Sequence, residues 1–275
     1  MLLSQQRDTI DKKVEKTMFN IGNLRQASTI DKEIKKTRRY FSGTHNNHSR
    51  VPDRYWLLSL LLPDRPARIL DIGPNIYVFK DLIDPRKRAQ YEYHSMDLQL
   101  NYHEGWANEH IHNANHDAYP FENDYFDLII ATDVIEHLFD TDTFLRNIKR
   151  VLHPDGEVLL TTPNYGSPGC VLKILQGKMF HAPLSSGLDR YCYQEHMKYF
   201  TQRDLMPYLE KMGIHGKYII NQGYRTLLPF AENTFVQWLF TRYIYNNLIR
   251  LSGRFAPEII IIGGKQVSQP SFLYL

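Results

Sequence analysis

Acidic side chains follow two apolar stretches of the sequence in an arrangement typical of nucleoside binding. The first stretch ends in Asp71-Ile-Gly73, and the second ends at Asp97, 24 residues after Gly73. A carboxylate at that distance can accept hydrogen bonds from both hydroxyls of a ribose, and Gly73 allows the backbone to approach a ligand closely. The spacing therefore favours a site for a nucleoside-like ligand.

Two further polar segments follow the next apolar runs. Asn113–Phe121 places amides, a histidine and a carboxylate just beyond the third run, where they suit the edge of an adenine. The fourth run, Phe126–Thr132, is followed by Asp133, Glu136 and His137. Because ligands of open parallel sheets bind beyond the carboxyl ends of the strands, we expect these groups to share one crevice.

The elements that must position these groups follow from the hydrophobic pattern. From about residue 51, short apolar runs alternate with helical periodicity, as in a parallel α/β sheet. Two clear helices are predicted: Asp142–Leu152, and a helix that begins after the capping residue Thr201 and ends at Gly213, with Pro207 inside it. The predicted strands are Ala67–Ile72, Tyr91–Leu98, His110–Ala114, Phe126–Thr132, Glu157–Thr162, Lys217–Asn221 and Glu258–Ile262.

Composition limits the class of protein. With 275 residues and 43% hydrophobic content, the chain can bury one sizeable core, so a single domain is expected over residues 51–275. Residues 1–50 carry 11 Lys and Arg against 5 Asp and Glu and read as a basic helical extension. This extension is expected to pack on the domain or on a partner subunit, or else to contact nucleic acid or an anionic surface.

Cysteine usage and hydropathy indicate the compartment. The two cysteines, Cys170 and Cys192, have no metal-ligand spacing and form no disulfide framework. The sequence shows neither a signal peptide nor a run of about 18 apolar residues. A cytoplasmic location is therefore predicted.

Four segments together resemble one known family. They are Ala67–Tyr77, Phe126–Leu138, Leu152–Asn164 and Glu195–Thr201. In this order they resemble the class I S-adenosylmethionine-dependent methyltransferases, in the group whose fourth strand ends in a Glu-His pair. The resemblance covers about residues 65–165 and 195–223. It implies a Rossmann-like, seven-stranded, mostly parallel sheet with helices on both faces, and S-adenosylmethionine as the cofactor.

The resemblance also implies the positions of the cofactor-binding residues. Thr132 and Asp133 would close the cofactor pocket. Asn113 and Asp117 are alternatives for the adenine contact, because the register of that loop is ambiguous. The other implied contacts are Asp71, Gly73 and Asn75 at the methionine moiety, Asp97 with its neighbour Leu98 at the ribose, and Asn115 and His116 at the adenine.

One departure from the family pattern concerns the glycine turn. The family has Gly-x-Gly-x-Gly, whereas this chain keeps Gly73 and has Asn75 and Tyr77 at the other two places. Asn tolerates a left-handed backbone, and Tyr77 could cover or crowd a cofactor. The missing Gly-x-Gly-x-x-Gly also argues against a dinucleotide, whose pyrophosphate needs it.

Two histidines are candidates for a general base. His137 lies just past the predicted cofactor pocket, and His196 follows the insertion at residues 165–194. The alternative is that Glu136 and His137 only fix the loop after the fourth strand. Asp133, Glu136 and His137 also resemble the metal-binding triple of some quinone-pathway methyltransferases, but no metal is predicted here.

Two segments bear on the acceptor. The insertion at about residues 165–200, rich in Leu, Met, Phe and Tyr, is expected to form a lid over a ring-bearing or glycan-like acceptor. The aromatic, partly basic segment Phe235–Leu251 is expected to pack in the core or in a homodimer interface; peripheral contact with a membrane surface is the alternative.

These observations predict a methyltransferase that acts on a small-molecule or saccharide acceptor, at oxygen. Two alternatives remain: an RNA methyltransferase that holds phosphates with its basic N-terminus, and a non-catalytic subunit with an eroded cofactor site. An enzyme that binds a dinucleotide or a nucleotide sugar is a third.

Overall fold

The computed structural model describes residues 62–74, 88–98, 107–115, 118–177, 196–221 and 253–274. Several predictions fall outside these ranges: the basic extension at residues 1–50, the aromatic segment Phe235–Leu251, and half of the predicted lid, residues 178–195. Asn75, Tyr77, His116 and Asp117 also lie outside the described residues.

The described residues form one mixed sheet of eight strands. Their order across the sheet is β3-β2-β1-β4-β5-β7-β6-β8. The strands are β1 Ala67–Ile72, β2 Tyr91–Asp97, β3 Asn108–Ile111, β4 Phe126–Thr132, β5 Leu152–Pro163, β6 His215–Asn221, β7 Glu258–Gly264 and β8 Ser271–Tyr274.

The sheet is parallel from β3 to β5, and β7 is antiparallel to both of its neighbours. Strand order reverses at β1, which has β2 on one side and β4 on the other. The carboxyl ends of these three strands therefore frame a crevice, as expected for an open α/β sheet. The predicted Rossmann-like fold is confirmed.

All seven predicted strands form; β1 and β4 have the predicted ends, β2, β6 and β7 differ by one or two residues at one end, and β3 and β5 differ more. β3 begins and ends earlier than expected. The strand is short and largely exposed, with Ile111 65% exposed, so its sequence has no clear alternation of apolar and polar residues to mark its ends. β5 begins directly at Leu152, so Pro154 and Gly156 lie inside an irregular start of the strand instead of forming a separate turn. The eighth strand, β8, was not predicted and pairs in parallel with β6.

Among the described residues, two helices cover one face of the sheet. α1 (Thr141–Val151) begins at Asp140, whose side chain accepts from the Thr143 amide, and α3 (Gln202–Lys211) begins at the predicted cap Thr201, which accepts from the Asp204 amide. Their apolar faces pack with alternate residues of β1, β4, β5 and β7. A third helix, α2 (Pro168–Leu175), follows β5.

Residues on the opposite face of the strands are buried as well. Ile69, Leu128, Ile130, Leu159 and Ile262 are all at most 3% exposed. A sheet buried on both faces is typical of a parallel α/β fold. Among the described residues, no helix is long and apolar enough to cross a membrane.

Candidate active site

The first wall of the crevice is the turn after β1. Gly73 has φ +63°. Its amide donates to the Met96 carbonyl at 2.9 Å, and this hydrogen bond attaches the turn to the end of β2. A Cβ on Gly73 would lie 2.9 Å from Cγ2 of Val134. Both the left-handed backbone and the lack of room require glycine here.

Asp71 lies beneath this turn and is only 4% exposed. The Tyr93 hydroxyl, on the neighbouring strand β2, donates to its carboxylate. Burial raises the pKa of Asp71 to about 7, although the bond from Tyr93 lowers it, and the charge of Asp97 raises it further. Asp71 can therefore change charge near neutral pH. A cation bound close to Asp71 would lower its pKa and favour the ionised carboxylate.

Asp97 and Leu98 form the second wall, at the end of β2. The Leu98 amide donates to Oδ1 of Asp97 at 2.6 Å, which holds the carboxylate at the strand end. Leu98 is 41% exposed although it is apolar. A carboxylate next to an open apolar side chain suits a ribose and the flat ring attached to it.

Asn113 and Asn115 lie beyond β3, where the adenine contact was predicted. Asn113 accepts from the Asn115 amide at 2.9 Å and closes a tight turn. The side-chain oxygen of Asn115 accepts from the amides of Phe139 and Asp140, at 2.7 and 3.2 Å. The side-chain oxygen of Asn115 therefore fixes the loop before α1. The side-chain nitrogen of Asn115 is the atom that can contact an adenine.

Thr132 and Asp133 end β4 between these walls. Thr132 is buried, and Asp133 has φ +52°, which is uncommon outside glycine. The Asp133 amide donates to the carbonyl and hydroxyl oxygens of Thr161 at 3.0 and 3.2 Å. The Thr161 hydroxyl donates to Oδ1 of Asp133 at 3.0 Å. These bonds hold the left-handed turn that leads from β4 toward Glu136.

Glu136 lies in a short 3-10 helix, Ile135–His137, and its side chain is fully buried. Its Oε2 accepts from the Thr162 hydroxyl at 3.0 Å. Its backbone carbonyl accepts from the amides of Met197 and Lys198, at 2.7 and 3.0 Å. The segment that begins at His196 is thus bound directly to this short helix.

His137 and His196, which are 59 residues apart in the sequence, meet at this junction. Their rings lie edge to face with centroids 4.6 Å apart. Nδ1 of His196 is hydrogen-bonded to the Tyr165 hydroxyl. Burial raises the pKa of Tyr165, and the charge of Glu136 adds to this effect. The structure therefore brings both predicted bases together with a tyrosine that the sequence pattern did not indicate.

The same cluster has ligands that could hold a metal ion. One ligand atom each from Glu136, His137 and His196 lies within 4.8 Å of the others. Carboxylate and imidazole are common ligands of divalent transition metals. This set differs from the triple suggested by the sequence, because His196 takes the place of Asp133, whose carboxylate accepts from Thr161. That the site has no metal ligands stays a prediction.

The strand order and the polar residues at the strand ends are those expected of a class I S-adenosylmethionine-dependent methyltransferase. A family model described as "Methyltransferase domain" matches residues 44–215. The chain belongs to this methyltransferase family, and its cofactor is S-adenosylmethionine. The resemblance seen in the sequence is thereby confirmed.

The chain is also similar in sequence to curated proteins and in fold to solved structures. The mitochondrial ubiquinone biosynthesis O-methyltransferase of Bos taurus is 26% identical over 112 residues, which are 40% of this chain and only 29% of that protein. A SAM-dependent methyltransferase from Archaeoglobus fulgidus superposes with a TM-score of 0.53 at 18% identity, over 82% of this chain and 97% of its own. A Haloferax volcanii methyltransferase, solved with the Trm112 activator, gives 0.50 at 12% identity, over 82% and 96%.

Proposed function

We propose that the protein transfers the methyl group of S-adenosylmethionine to an oxygen atom of a small-molecule or saccharide acceptor. The observation that carries the proposal is the position of the Glu136, His137 and His196 cluster. The cluster adjoins the cofactor crevice, because only Val134 and Ile135 separate Glu136 from Asp133. A base beside the crevice is what an oxygen acceptor needs, since its hydroxyl must lose a proton.

The crevice fits an adenosyl sulfonium. Gly73 gives a close backbone wall, Asp97 suits the ribose hydroxyls, and Leu98 offers an apolar surface for the adenine. Asp71 supplies a buried carboxyl group beneath the site. The bound cofactor supplies an electrophilic methyl carbon, which the acceptor oxygen attacks while the electron pair of the carbon–sulfur bond stays on sulfur.

The histidine pair provides the base. When the acceptor oxygen attacks, its proton passes to a ring nitrogen of His137 or His196, and the buried Glu136 carboxylate stabilises the resulting imidazolium. Holding the acceptor in line with the methyl group supplies most of the rate enhancement, on the order of 7–11 kcal/mol in favourable systems. The ubiquinone O-methyltransferase relative supports oxygen as the acceptor atom.

The helix beside the cluster supports an apolar, ring-bearing acceptor. α2 follows Tyr165 closely and exposes Val171, Leu172, Ile174 and Leu175. Apolar side chains near a polar cluster are typical of small-molecule pockets. We therefore retain the predicted lid over the acceptor as part of the proposal.

Calorimetry with S-adenosylmethionine tests the cofactor site. Asp97→Ala should abolish measurable binding, because it removes the carboxylate proposed to hold the ribose. Asp155→Ala is the matched control: this exposed carboxylate lies near the opposite end of the sheet and accepts from Gln266. Equal affinity in the wild type and Asp97→Ala would overturn the site assignment.

Turnover tests the acceptor side. With a panel of phenolic, quinol and saccharide hydroxyl compounds, the wild type should yield a methylated product and S-adenosylhomocysteine. His137→Ala should keep cofactor affinity and lower kcat by roughly 100-fold. If methylated nitrogen compounds or RNA were the products instead, the proposed oxygen acceptor would be wrong.

A further inference from the structure

Two histidines outside the active-site cluster join strands β2 and β3 through their side chains. Nδ1 of His94 is hydrogen-bonded to Nε2 of His110 at 2.9 Å, and an angle of only 18° separates the planes of the two rings. His94 is buried, and three aromatic rings pack edge to face around it: Phe121, Tyr125 and Phe126. The two strands are thus linked by this imidazole pair as well as by their backbones.

A carboxylate decides in which direction these hydrogen bonds run. Oε1 of Glu92 lies 3.0 Å from Nε2 of His94. A glutamate is ionised at neutral pH and can then only accept, so Nε2 of His94 carries a hydrogen. A neutral His94 therefore has its lone pair at Nδ1. The hydrogen between the two rings belongs to Nε2 of His110.

Other charged and polar groups keep Glu92 in its ionised form. The Tyr125 hydroxyl, which precedes β4, donates to its carboxylate and lowers the pKa of Glu92. The bond from His94 and the charge of Arg68, on β1, add to this effect. Nε of Arg68 lies 3.4 Å from Oε2 of Glu92. Neutral pH therefore favours the arrangement in which His94 donates to Glu92 and accepts from His110.

The bond between the rings tolerates one added proton but not two. With one, a single N–H···N bond still joins the rings, whichever ring holds the charge. With two, both facing nitrogens carry hydrogens, so the bond is lost and two cations lie stacked with centroids 5.2 Å apart. The two histidines therefore titrate as a coupled pair, and the second proton opposes their contact.

The surroundings of His110 make acid destabilising. Burial lowers the pKa of His110 below its ordinary value of 6.5, and the charges of His94 and His112 lower it further. Glu92 bonds to the side of the His94 ring that faces away from His110. The folded state thus binds this proton more weakly than the unfolded chain. The pair stabilises the fold above pH 6.5, and this stabilisation is lost as pH falls through the pKa of folded His110.

β3 leads directly into the cofactor crevice. It has four residues and, within the described parts of the chain, pairs with β2 alone at the edge of the sheet. The His112 amide, just after β3, donates to the Asp97 carbonyl at 2.8 Å. The chain then enters the turn closed by Asn113 and Asn115. A change in how β3 is held therefore reaches both Asp97 and this turn.

We propose that the His94–His110 pair is a pH-sensitive switch: it fastens β3 to β2 at neutral pH, and double protonation in acid releases the strand and weakens cofactor binding. The effect on the cofactor rests on the proposed function, in which Asp97 and the turn of Asn113 and Asn115 hold the adenosine. The release of β3 does not depend on that assignment.

Histidine ¹⁵N NMR on the full chain tests the hydrogen positions. His94→Gln and His110→Gln assign the signals. At pH 7.5 we expect the hydrogen on Nε2 in both rings, and we expect the second proton to bind the pair below pH 6.5. A hydrogen on Nδ1 of His94 at pH 7.5 would overturn the switch, because Nε2 could not then donate to Glu92.

Amide hydrogen exchange tests the release of β3. Protection factors of the β3 and His112 amides should fall roughly 10-fold between pH 7.5 and pH 5 in the wild type. In His110→Gln they should stay within about twofold, because the side-chain amide still bonds to His94 and takes up no proton. His153→Gln is the matched control: this histidine lies at the start of β5, accepts from the Asp155 amide, and should leave the wild-type response intact.

Calorimetry with S-adenosylmethionine at the same two pH values gives the functional readout. The rise in Kd at pH 5 should be about threefold to tenfold larger in the wild type and His153→Gln than in His110→Gln. Equal losses of β3 protection in the wild type and His110→Gln would overturn the switch, whatever the Kd values. Loss of protection in the wild type alone, with equal changes in Kd, would support the release of β3 and contradict the placement of the adenosine at Asp97 and Asn115.

Discussion

At the scale of single residues, position 73 requires glycine for two reasons: its backbone is left-handed, and there is no room for a Cβ atom. Gly177 makes a useful comparison, because its φ of +69° is nearly the same while nothing lies within 4 Å of a Cβ built there. At Gly73 the added atom meets Val134 at 2.9 Å. The two positions therefore separate backbone strain from crowding at the crevice.

We expect Gly73→Ala to be clearly more harmful than Gly177→Ala. Left-handed strain costs about 1–2 kcal/mol at either position, and the contact with Val134 adds to it only at Gly73. Urea denaturation should show the larger loss of stability for Gly73→Ala, and calorimetry should show weaker cofactor binding for that variant alone. Equal losses in both variants would contradict the crowding argument.

Asp71 gives the molecule a pH dependence near neutrality. Its pKa in the folded state, about 7, lies well above the ordinary value of an aspartate side chain, 3.8. The folded state therefore binds the proton more tightly. This contribution to the free energy of unfolding is fully present below about pH 4 and is lost as pH rises through 7. The loss between pH 6 and pH 8 is on the order of 1 kcal/mol.

Asp71→Asn should flatten that fall in stability. Urea denaturation at pH 6 and pH 8 measures it, because asparagine has no proton to lose. Tyr93→Phe should instead move the fall to higher pH, since the bond from Tyr93 lowers the pKa of Asp71. An unchanged fall in Asp71→Asn would show that another group is responsible.

At the scale of elements, the end of β5 serves two parts of the site with adjacent residues. Neighbouring side chains on a strand point to opposite faces of the sheet. Thr161 therefore reaches Asp133 at the cofactor crevice, whereas Thr162 reaches the buried Glu136 of the histidine cluster. One strand end thus holds, from opposite faces, Asp133, which is proposed to line the cofactor pocket, and Glu136, which lies in the cluster proposed to supply the base.

Substituting the two threonines should separate binding from catalysis. Thr161→Val removes a hydrogen bond to a carboxylate, worth about 1.5–3 kcal/mol, and should raise the Kd for S-adenosylmethionine about 10-fold. Thr162→Val should leave that Kd within about twofold and lower kcat. Calorimetry and initial rates measure the two effects. If both variants weakened cofactor binding equally, this division would be wrong.

At the scale of the whole molecule, the crevice and β8 lie far apart in the strand order. Within the part of the chain that the structure describes, β8 pairs with β6 alone, at the edge of the sheet that is remote from β1, β2 and β4. Its loss would expose the edge of β6, which is a template for aggregation. Stability and cofactor binding should therefore respond differently to changes at this edge.

Removing residues 271–275 should lower stability without altering cofactor affinity. The lost strand pairing is worth roughly 2–4 kcal/mol, or a fall in Tm of about 4–16 °C. Phe272→Ser keeps the strand and serves as the control, with a much smaller fall expected, since Phe272 is half exposed. Differential scanning calorimetry and cofactor titration are the measurements. A large change in cofactor Kd would contradict the separation.

The sequence predicted those parts of the fold in which a continuous segment is buried and is therefore apolar. β1 and β4 were predicted with correct ends, since each is a buried apolar run followed by a polar turn at Gly73 or Asp133. The ends of β3 were wrong, because an exposed edge strand has little apolar alternation. β8 was missed because its stability depends on pairing with β6, about 50 residues earlier in the chain.

In the site too, residues within sequence motifs could be predicted, whereas contacts between distant residues could not. The positions of Asp97 and of both histidines followed from motifs, but their roles await the experiments above. Tyr165 could not be found, because 31 residues separate it from His196 and only the folded backbone brings them together. The raised pKa of Asp71 likewise depends on burial and on Tyr93 from another strand, which no local pattern reveals.

The Asn115 side chain makes the two halves of the site one mechanical unit. Its oxygen accepts from the amides of Phe139 and Asp140, two and three residues after His137. These bonds tie the loop at Asn113 and Asn115 to the start of α1, which closely follows His137. On the proposed assignment, an adenine bound at this loop would brace the histidine cluster, and we expect S-adenosylmethionine to bind before the acceptor.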